Sequence, residues 1–389
     1  MPEARRVHVA YLDGIRGWAA TFVAIHHIWQ FIAMRPQVEP PPRWFTVMTV
    51  FKYGQYAVVV FIVLSGYCLM LPVARSTGSE LAGGVLGFVK RRARRILVPY
   101  YAALALSVLL VALVPRAAEP GDPTFSPSNL LAHVLLVHNW FNEFKWSIDP
   151  PTWTVAIEWQ IYFVFALGLL PLWRRFGPAV SVGVAFVVGL LPMFAGYQFA
   201  SPWFLGLFAL GMLAATINFR PGADYGPSQP AGWEKLAIAF ALVVTALTAA
   251  KIPELASPHP LIDTMLGLAT ASFLIASTRR LQLGQRPSLV ARIFEHPISM
   301  QLGVFSYSIY LVHCPVLRAL HIPLADSDLK PVPLFAAQVF VALPVALAVS
   351  YAFHRIFERP FMTVSASQLS SASRLPASTG KQLKVGLES

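Results

Sequence analysis

The sequence predicts an all-α fold, a polytopic membrane helix bundle, and three observations carry that prediction. Of 389 residues, 56% are hydrophobic and only 12% are charged, where a soluble domain carries about 25% charged residues. The mean hydropathy is +0.59. The apolar residues gather into runs of about 20, the length that crosses a bilayer as a helix. The net charge of +12 does not point to nucleic acid. The basic residues lie in short connections between the runs, as the positive-inside rule requires of a membrane protein.

Taken in order, the candidate spans are 12–34, 54–74, 94–115, 152–173, 178–197, 201–217, 234–251, 259–278, 301–321 and 333–357. The first follows a basic N-terminus, but its apolar run is too long for a signal-peptide core and has no small-residue cleavage site. It is therefore expected to stay as an uncleaved span. A shorter apolar run at 128–141 carries His133 and His138 and reads as a re-entrant or interfacial segment. Ten spans with both termini cytoplasmic put Arg5, Arg6, the run Lys90 to Arg95, Arg174, Arg175, Arg220, Arg279, Arg280, Arg286, Arg292, Arg355 and Arg359 on the inside. Glu119, Asp122, Asp149, Asp326 and Asp328 fall outside. An eleventh span at 128–141 would move Arg174 and Arg175 to the outside, so the charge rule favours ten. Residues 1–361 are expected to form one membrane-embedded domain, and the Ser-rich stretch 362–389 a disordered cytoplasmic tail.

Ionisable groups inside a span are costly and usually functional. Arg16 and His27 stand in the first span eleven residues apart, close to three turns, so they share one helix face roughly 16 Å apart. His26 is turned about 100° away. A neutral imidazole is a base suited to taking a proton from a hydroxyl; the structural alternative is a packing histidine bonded to a carbonyl. Glu158 lies six residues into its span and His27 seven residues from the outer end of the first. The two therefore sit at similar depth, roughly 10 Å below the outer surface. A carboxylate that orients a histidine is one reading, and a structural ion pair with Arg16 is the other. Ser306, Tyr310 and His313 fall within about 60° on one helix face, either lining a cavity or joining helices by hydrogen bonds. The run Lys90 to Arg95 either anchors topology and anionic lipid or binds a phosphorylated cytosolic ligand. Cys68 and Cys314 show no metal-ligand spacing or disulfide framework, and no G-x-S-x-G elbow, P-loop or zinc pattern occurs.

Together these pieces resemble the acyltransferase 3 family of integral membrane acyltransferases. The resemblance rests on Leu12-Asp13-Gly14-Ile15-Arg16-Gly17 with the Arg-x10-His spacing to His27, on Phe61-Ile-Val-Leu-Ser65-Gly66-Tyr67, and on Arg91-Arg92-x-x-Arg95-Ile96-x-x-Pro99-Tyr100. It continues in Trp153-Thr-Val-x-x-Glu158-x-x-x-Tyr162 and in Ser306-Tyr-Ser-Ile-Tyr310-Leu-Val-His313. It covers residues 11–360, and the order and spacing of the motifs make it specific.

The resemblance implies a transfer of acyl groups, most often acetyl, from cytosolic acyl-CoA to a hydroxyl of a carbohydrate or glycosylated acceptor. Arg16 and His27 would be the essential pair, with His27 as general base or acyl-carrying residue, and Arg91, Arg92 and Arg95 would contact the donor. Asp13 and Tyr162 would join Ser306, Tyr310 and His313 around the cavity, with Glu158 as a third catalytic group. No tightly bound cofactor and no metal are expected, with acyl-CoA as co-substrate and membrane lipid as surroundings. A bacterial inner (plasma) membrane is the expected location. Some family members carry an extra periplasmic domain; this chain is expected to act alone or with a separate extracytoplasmic partner. A transporter or flippase of a polar or glycosylated solute is the competing reading, although no inverted repeat supports it. A scaffold without chemistry would leave the aligned Arg16 and His27 unexplained.

Overall fold

The computed structural model describes residues 9–33, 48–76, 80–114, 123–220, 226–250, 258–327 and 329–362, and among them there is helix and turn but no strand. All but the first residue of the tail expected at 362–389 lies outside the described residues. Apolar runs too long for turns, in a lipid interior that can satisfy no backbone N–H or C=O, have helix as their open solution. The long helices are α1 (Tyr11–Ala33), α2 (Gln55–Arg75) and α3 (Gly84–Leu113). After a short α4 (Pro127–Val134) come α5 (Trp153–Val164), α6 (Leu170–Leu190), α7 (Phe204–Phe219), α8 (Pro230–Ala249) and α9 (Pro260–Gln282). Two short helices, α10 (Leu289–Phe294) and α11 (Pro297–Val304), lead into α12 (Ser306–Ala325), and α13 (Pro331–Ala337) and α14 (Leu343–Phe353) close the bundle.

Eight helical stretches among the described residues are long and apolar enough to cross a membrane. Helix α1 is not among them, because Arg16, His26, His27 and Gln30 dilute its hydropathy. One of the eight, Pro150–Ala195, holds 46 residues and would run roughly 70 Å if straight, more than twice the hydrocarbon core of about 30 Å. It breaks inside α6 at Gly177, whose φ of 81° and ψ of 175° are not helical, and Pro178 follows. The break separates the two expected spans 152–173 and 178–197. Helix α1 and this division account for the difference between eight and ten.

Two expected boundaries move. The span expected at 301–321 begins at Ser306, because Phe305 leaves helical geometry and residues 297–304 form the separate helix α11. The span expected at 201–217 is displaced to Phe204–Phe219. The segment 128–141 does not cross: α4 has eight residues and a 3-10 turn, His138–Trp140, follows it. The hydroxyls of Tyr100 and Tyr101 on α3 donate to the His133 and Val134 carbonyls at 2.8 and 2.7 Å and tie this segment down.

Helix α7 is the buried centre, packed on α2, α6 and α9. Lipid offers no hydrophobic force between helices, so small residues that admit close backbone approach set the contacts. A Cβ on Gly211 of α7 would lie 2.0 Å from the Val63 carbonyl oxygen of α2, and one on Gly66 would meet Phe208 in the same way. Helix α1 crosses α11 by the same device, with Gly17 against Gly303. Helix α8 is the opposite case. It buries only Pro230 and Val244, while Ile238 and Leu242 are exposed to the surroundings of the bundle, as a lipid-facing helix requires.

Gly211→Val is expected to force α2 and α7 apart at a cost of about 3 kcal/mol or more, read as a lower thermal midpoint in detergent. Gly183→Ala on α6, where a Cβ meets nothing within 4 Å, is expected to stabilise by up to about 1 kcal/mol.

Candidate active site

Five helices enclose one polar cavity. Helix α1 supplies Arg16, α2 Ser65 and Cys68, α3 Arg92 and Arg95, α5 Glu158 and Tyr162, and α12 Ser306, Tyr307 and Tyr310. On α3, residues 92, 95, 96 and 99 recur at helical spacing and turn one stripe inward. Arg92 and Arg95 are half-buried on that stripe, and the Arg92 guanidinium stands 5.8 Å over the Phe88 ring. Arg91 points elsewhere. It is exposed, its guanidinium donates to the Ala82 carbonyl at 2.5 Å, and it does not line the cavity. The expected donor-binding trio is thus two arginines inside and one outside, because neighbouring helix positions differ by about 100°.

Glu158 is held by its own helix and by α2. Its Oε1 accepts from the Ser65 hydroxyl at 2.6 Å and from the Tyr162 hydroxyl one turn on. The two hydroxyls are themselves 3.2 Å apart. Arg16 pairs with Asp13 at 3.1 Å, three residues back on α1. Of the two alternatives weighed for Glu158 in the sequence, the bond to His27 gives way to Ser65 and Tyr162, while Arg16 takes Asp13 as its direct partner and keeps Glu158 within electrostatic reach across the cavity. A count of residues from the span ends says nothing of how the helices pack. Asp13 does not line the cavity but braces Arg16 at its edge.

His27 stands apart from this cavity. It is buried, with 8% exposure, and its ring centroid lies 5.2 Å from that of His313 on α12. The adjacent His26 bonds through Nδ1 to the Phe51 carbonyl at 2.7 Å, with its ring 5.3 Å from that of His27. The stripe on α12 is therefore shared between two places. Ser306 and Tyr310 line the cavity, whereas His313 does not and meets His27. Tyr310 stands at the boundary. Its hydroxyl pairs with Thr154 Oγ1 at 2.6 Å and reaches the Pro151 carbonyl at 3.0 Å. Its ring lies edge-on to Phe61 and 6.1 Å from His313.

Sequence reasoning missed several groups. Arg318, five residues beyond His313 on α12 and 8% exposed, lies within electrostatic reach of His27 and Asp149. An arginine in an apolar run was a visible signal. Lys145 is buried in the connection before α5, with Nζ 3.9 Å from the Trp153 ring and 4.5 Å from that of Trp146. It also donates to the Phe199 carbonyl. No local pattern announces that box. Asp149, fully buried in the same connection, has its carboxyl pushed up to about 8 by burial, against the pull of Arg318 and the Ser107 hydroxyl. Among the described residues no group of three or more His, Cys, Asp and Glu is placed to hold a metal ion.

A family model described as an acyltransferase domain matches residues 9–355. The chain belongs to the acyltransferase 3 family. It is 25% identical to the acyltransferase MdmB of Streptomyces mycarofaciens over 92% of each chain. It is 24% identical to the O-acetyltransferase PaAT-1 of Phomopsis amygdali over 82% of this chain and 74% of that one. To the O-acetyltransferase OatA of Staphylococcus aureus it is 27% identical over 47% of this chain and 28% of that one. No solved structure matches it. With its apolar helices, the family member is an integral membrane acyltransferase.

The raised carboxyl of Asp149 carries a sign. Protonation favours the folded state from the ordinary carboxylate range near about 4 up to about 8, and that contribution is lost as pH rises through this window. Asp149→Asn, neutral throughout, is expected to gain thermal stability relative to the wild type as pH rises to about 8. Melting curves of the two proteins across that range are the check.

Proposed function

We propose that this chain is a membrane O-acyltransferase that moves an acyl group, most often acetyl, from cytosolic acyl-CoA to a hydroxyl of a carbohydrate or glycosylated acceptor. The observation that carries this reading is the cavity in which Arg16, Arg92 and Arg95 converge from two helices, in a chain of acyltransferase family. Guanidinium forks match phosphate oxygens in charge and geometry, and the donor carries its phosphates at the end remote from its thioester. Arg16 and His27 lie roughly 16 Å apart along α1, so a donor anchored at the arginines has a long arm to extend towards the histidine. The O-acetyltransferase names of two relatives support acetyl and a hydroxyl acceptor.

In this reading both termini are cytoplasmic, the arginine-rich start of α3 faces the cytosol, and the protein sits in a bacterial inner membrane. His27 removes the proton of the acceptor hydroxyl as its oxygen attacks the thioester carbonyl. The carbon–sulfur bond breaks, and the leaving thiolate takes that proton back. Arg16, with Arg92 and Arg95, neutralises the donor's phosphates in the cavity. A separate extracytoplasmic protein that delivers the acceptor is compatible with this scheme.

His27→Ala is expected to lower acceptor-dependent release of CoA by at least about 10²-fold while the purified protein keeps its melting temperature. Wild-type rates in that variant would overturn the assignment. Arg92→Ala and Arg95→Ala are each expected to raise KM for acyl-CoA by about 10- to 100-fold, the worth of a charged hydrogen bond. Arg91→Ala, outside the cavity, is expected to leave KM nearly unchanged, and initial-rate kinetics with varied acyl-CoA separate the three.

A further inference from the structure

We infer that His313 is the positioning residue of His27: it holds the reactive imidazole through a neutral ring nitrogen that accepts a hydrogen bond when His27 carries a proton. The inference rests on the acyl-transfer reading of His27 and adds a residue to it.

The argument begins with the tautomer. His313 Nδ1 lies 2.9 Å from the Ile309 carbonyl oxygen, one turn back on α12. A carbonyl can only accept, so Nδ1 carries the ring proton. Nε2 is then a bare lone pair. It is buried and has no hydrogen-bond partner among the described residues, although a buried acceptor left unmade is costly. What lies beside it is the His27 ring, 5.2 Å away between centroids and tilted by 40°. Rings at that separation bring nitrogen to nitrogen with a modest turn of His27.

Gln30, three residues on along α1, also offers its side-chain amide to His27, but it belongs to the same helix, and the ring that faces His27 from α12 is His313. The His26 ring is also near, 5.3 Å from that of His27 between centroids, but it is only half-buried, and its Nε2, unlike that of His313, is not a buried atom left without a partner. Glu158, the carboxylate first expected behind His27, is bound by Ser65 and Tyr162. Arg318 has no lone pair to offer. A neutral acceptor suits the place. A carboxylate there would hold a strong ion pair in a dry bundle, whereas an imidazole stabilises the protonated state of His27 only while the proton is on it. The proton comes from the acceptor hydroxyl, rests on His27, and leaves on the thiolate. His313 keeps its own proton on Nδ1 throughout.

The test separates the two nitrogens. Gln places an amide group near the position of Nε2, whereas Asn places one near Nδ1 and leaves the side facing His27 empty. His313→Gln is expected to keep kcat within about tenfold of wild type, and His313→Asn and His313→Leu to lose about 10²-fold, all with KM for acyl-CoA nearly unchanged. Full activity of His313→Asn would overturn the inference, and so would equal loss in the Gln and Asn variants at unchanged melting temperature. Should the variants fail to fold, solid-state ¹⁵N spectra of histidine-labelled wild type in bilayers decide. They are expected to contain an Nδ1-protonated imidazole hydrogen-bonded at Nε2 to a second imidazole, and absence of that pair would overturn the inference. If the wild type transfers no acyl group at all, the acyl-transfer reading fails instead, and the spectra still decide whether the two rings are paired.

Discussion

A guanidinium and an imidazole carried through apolar surroundings on one helix must each be given polar company, and the bundle is arranged around that requirement of α1. Arg16 has Asp13 on its own helix and opens onto a cavity shared by five helices. His27 has His313 of α12. Both solutions need α1 to be flanked closely. Glycine contacts between α1 and α11 and between α2 and α7 bring the backbones near enough for the purpose. In lipid, where apolar surface gains nothing by meeting apolar surface, such packing and such polar contacts hold helices together.

The polar groups are thereby divided between two places along α1. The first gathers positive charge from α1 and α3 and a carboxylate from α5. The second is an imidazole pair. Helix α12 belongs to both, since Ser306 and Tyr310 face the first and His313 the second. Tyr310, bonded to Thr154 and the Pro151 carbonyl, sits between them.

The connection before α5 shows how the start of that helix is secured. Lys145 lies against Trp146 and Trp153 and donates to the carbonyl of Phe199. Attraction of a cation to aromatic faces is strongest where water is excluded, and here it fastens three chain segments together. Ser147 donates to Asn129 at 2.9 Å, which joins the same connection to α4. Residues 123–149 form no helix long enough to cross a membrane, but they fix where α5, and so Glu158, begins.

The sequence by itself determined the all-α polytopic class and where the apolar helices lie, and it marked out the short segment at 128–141 and the polar residues inside apolar runs, because each depends on local composition. Run length against bilayer thickness gives the spans, and a charge in an apolar run announces itself. Helical periodicity also assigned Ser306, Tyr310 and His313 to one face and turned His26 from His27. What only the tertiary structure decided is which faces meet. Counting residues from the span ends pairs Glu158 with His27, yet the packing of α5 puts the carboxylate in the cavity of Arg16 and hands it to Ser65 and Tyr162. Arg91, Arg92 and Arg95 share one motif, yet 100° per residue admits two to the cavity and leaves one outside. Depth is additive along one chain, whereas azimuth and adjacency follow from how several helices pack at once, and no single stretch of sequence contains that information.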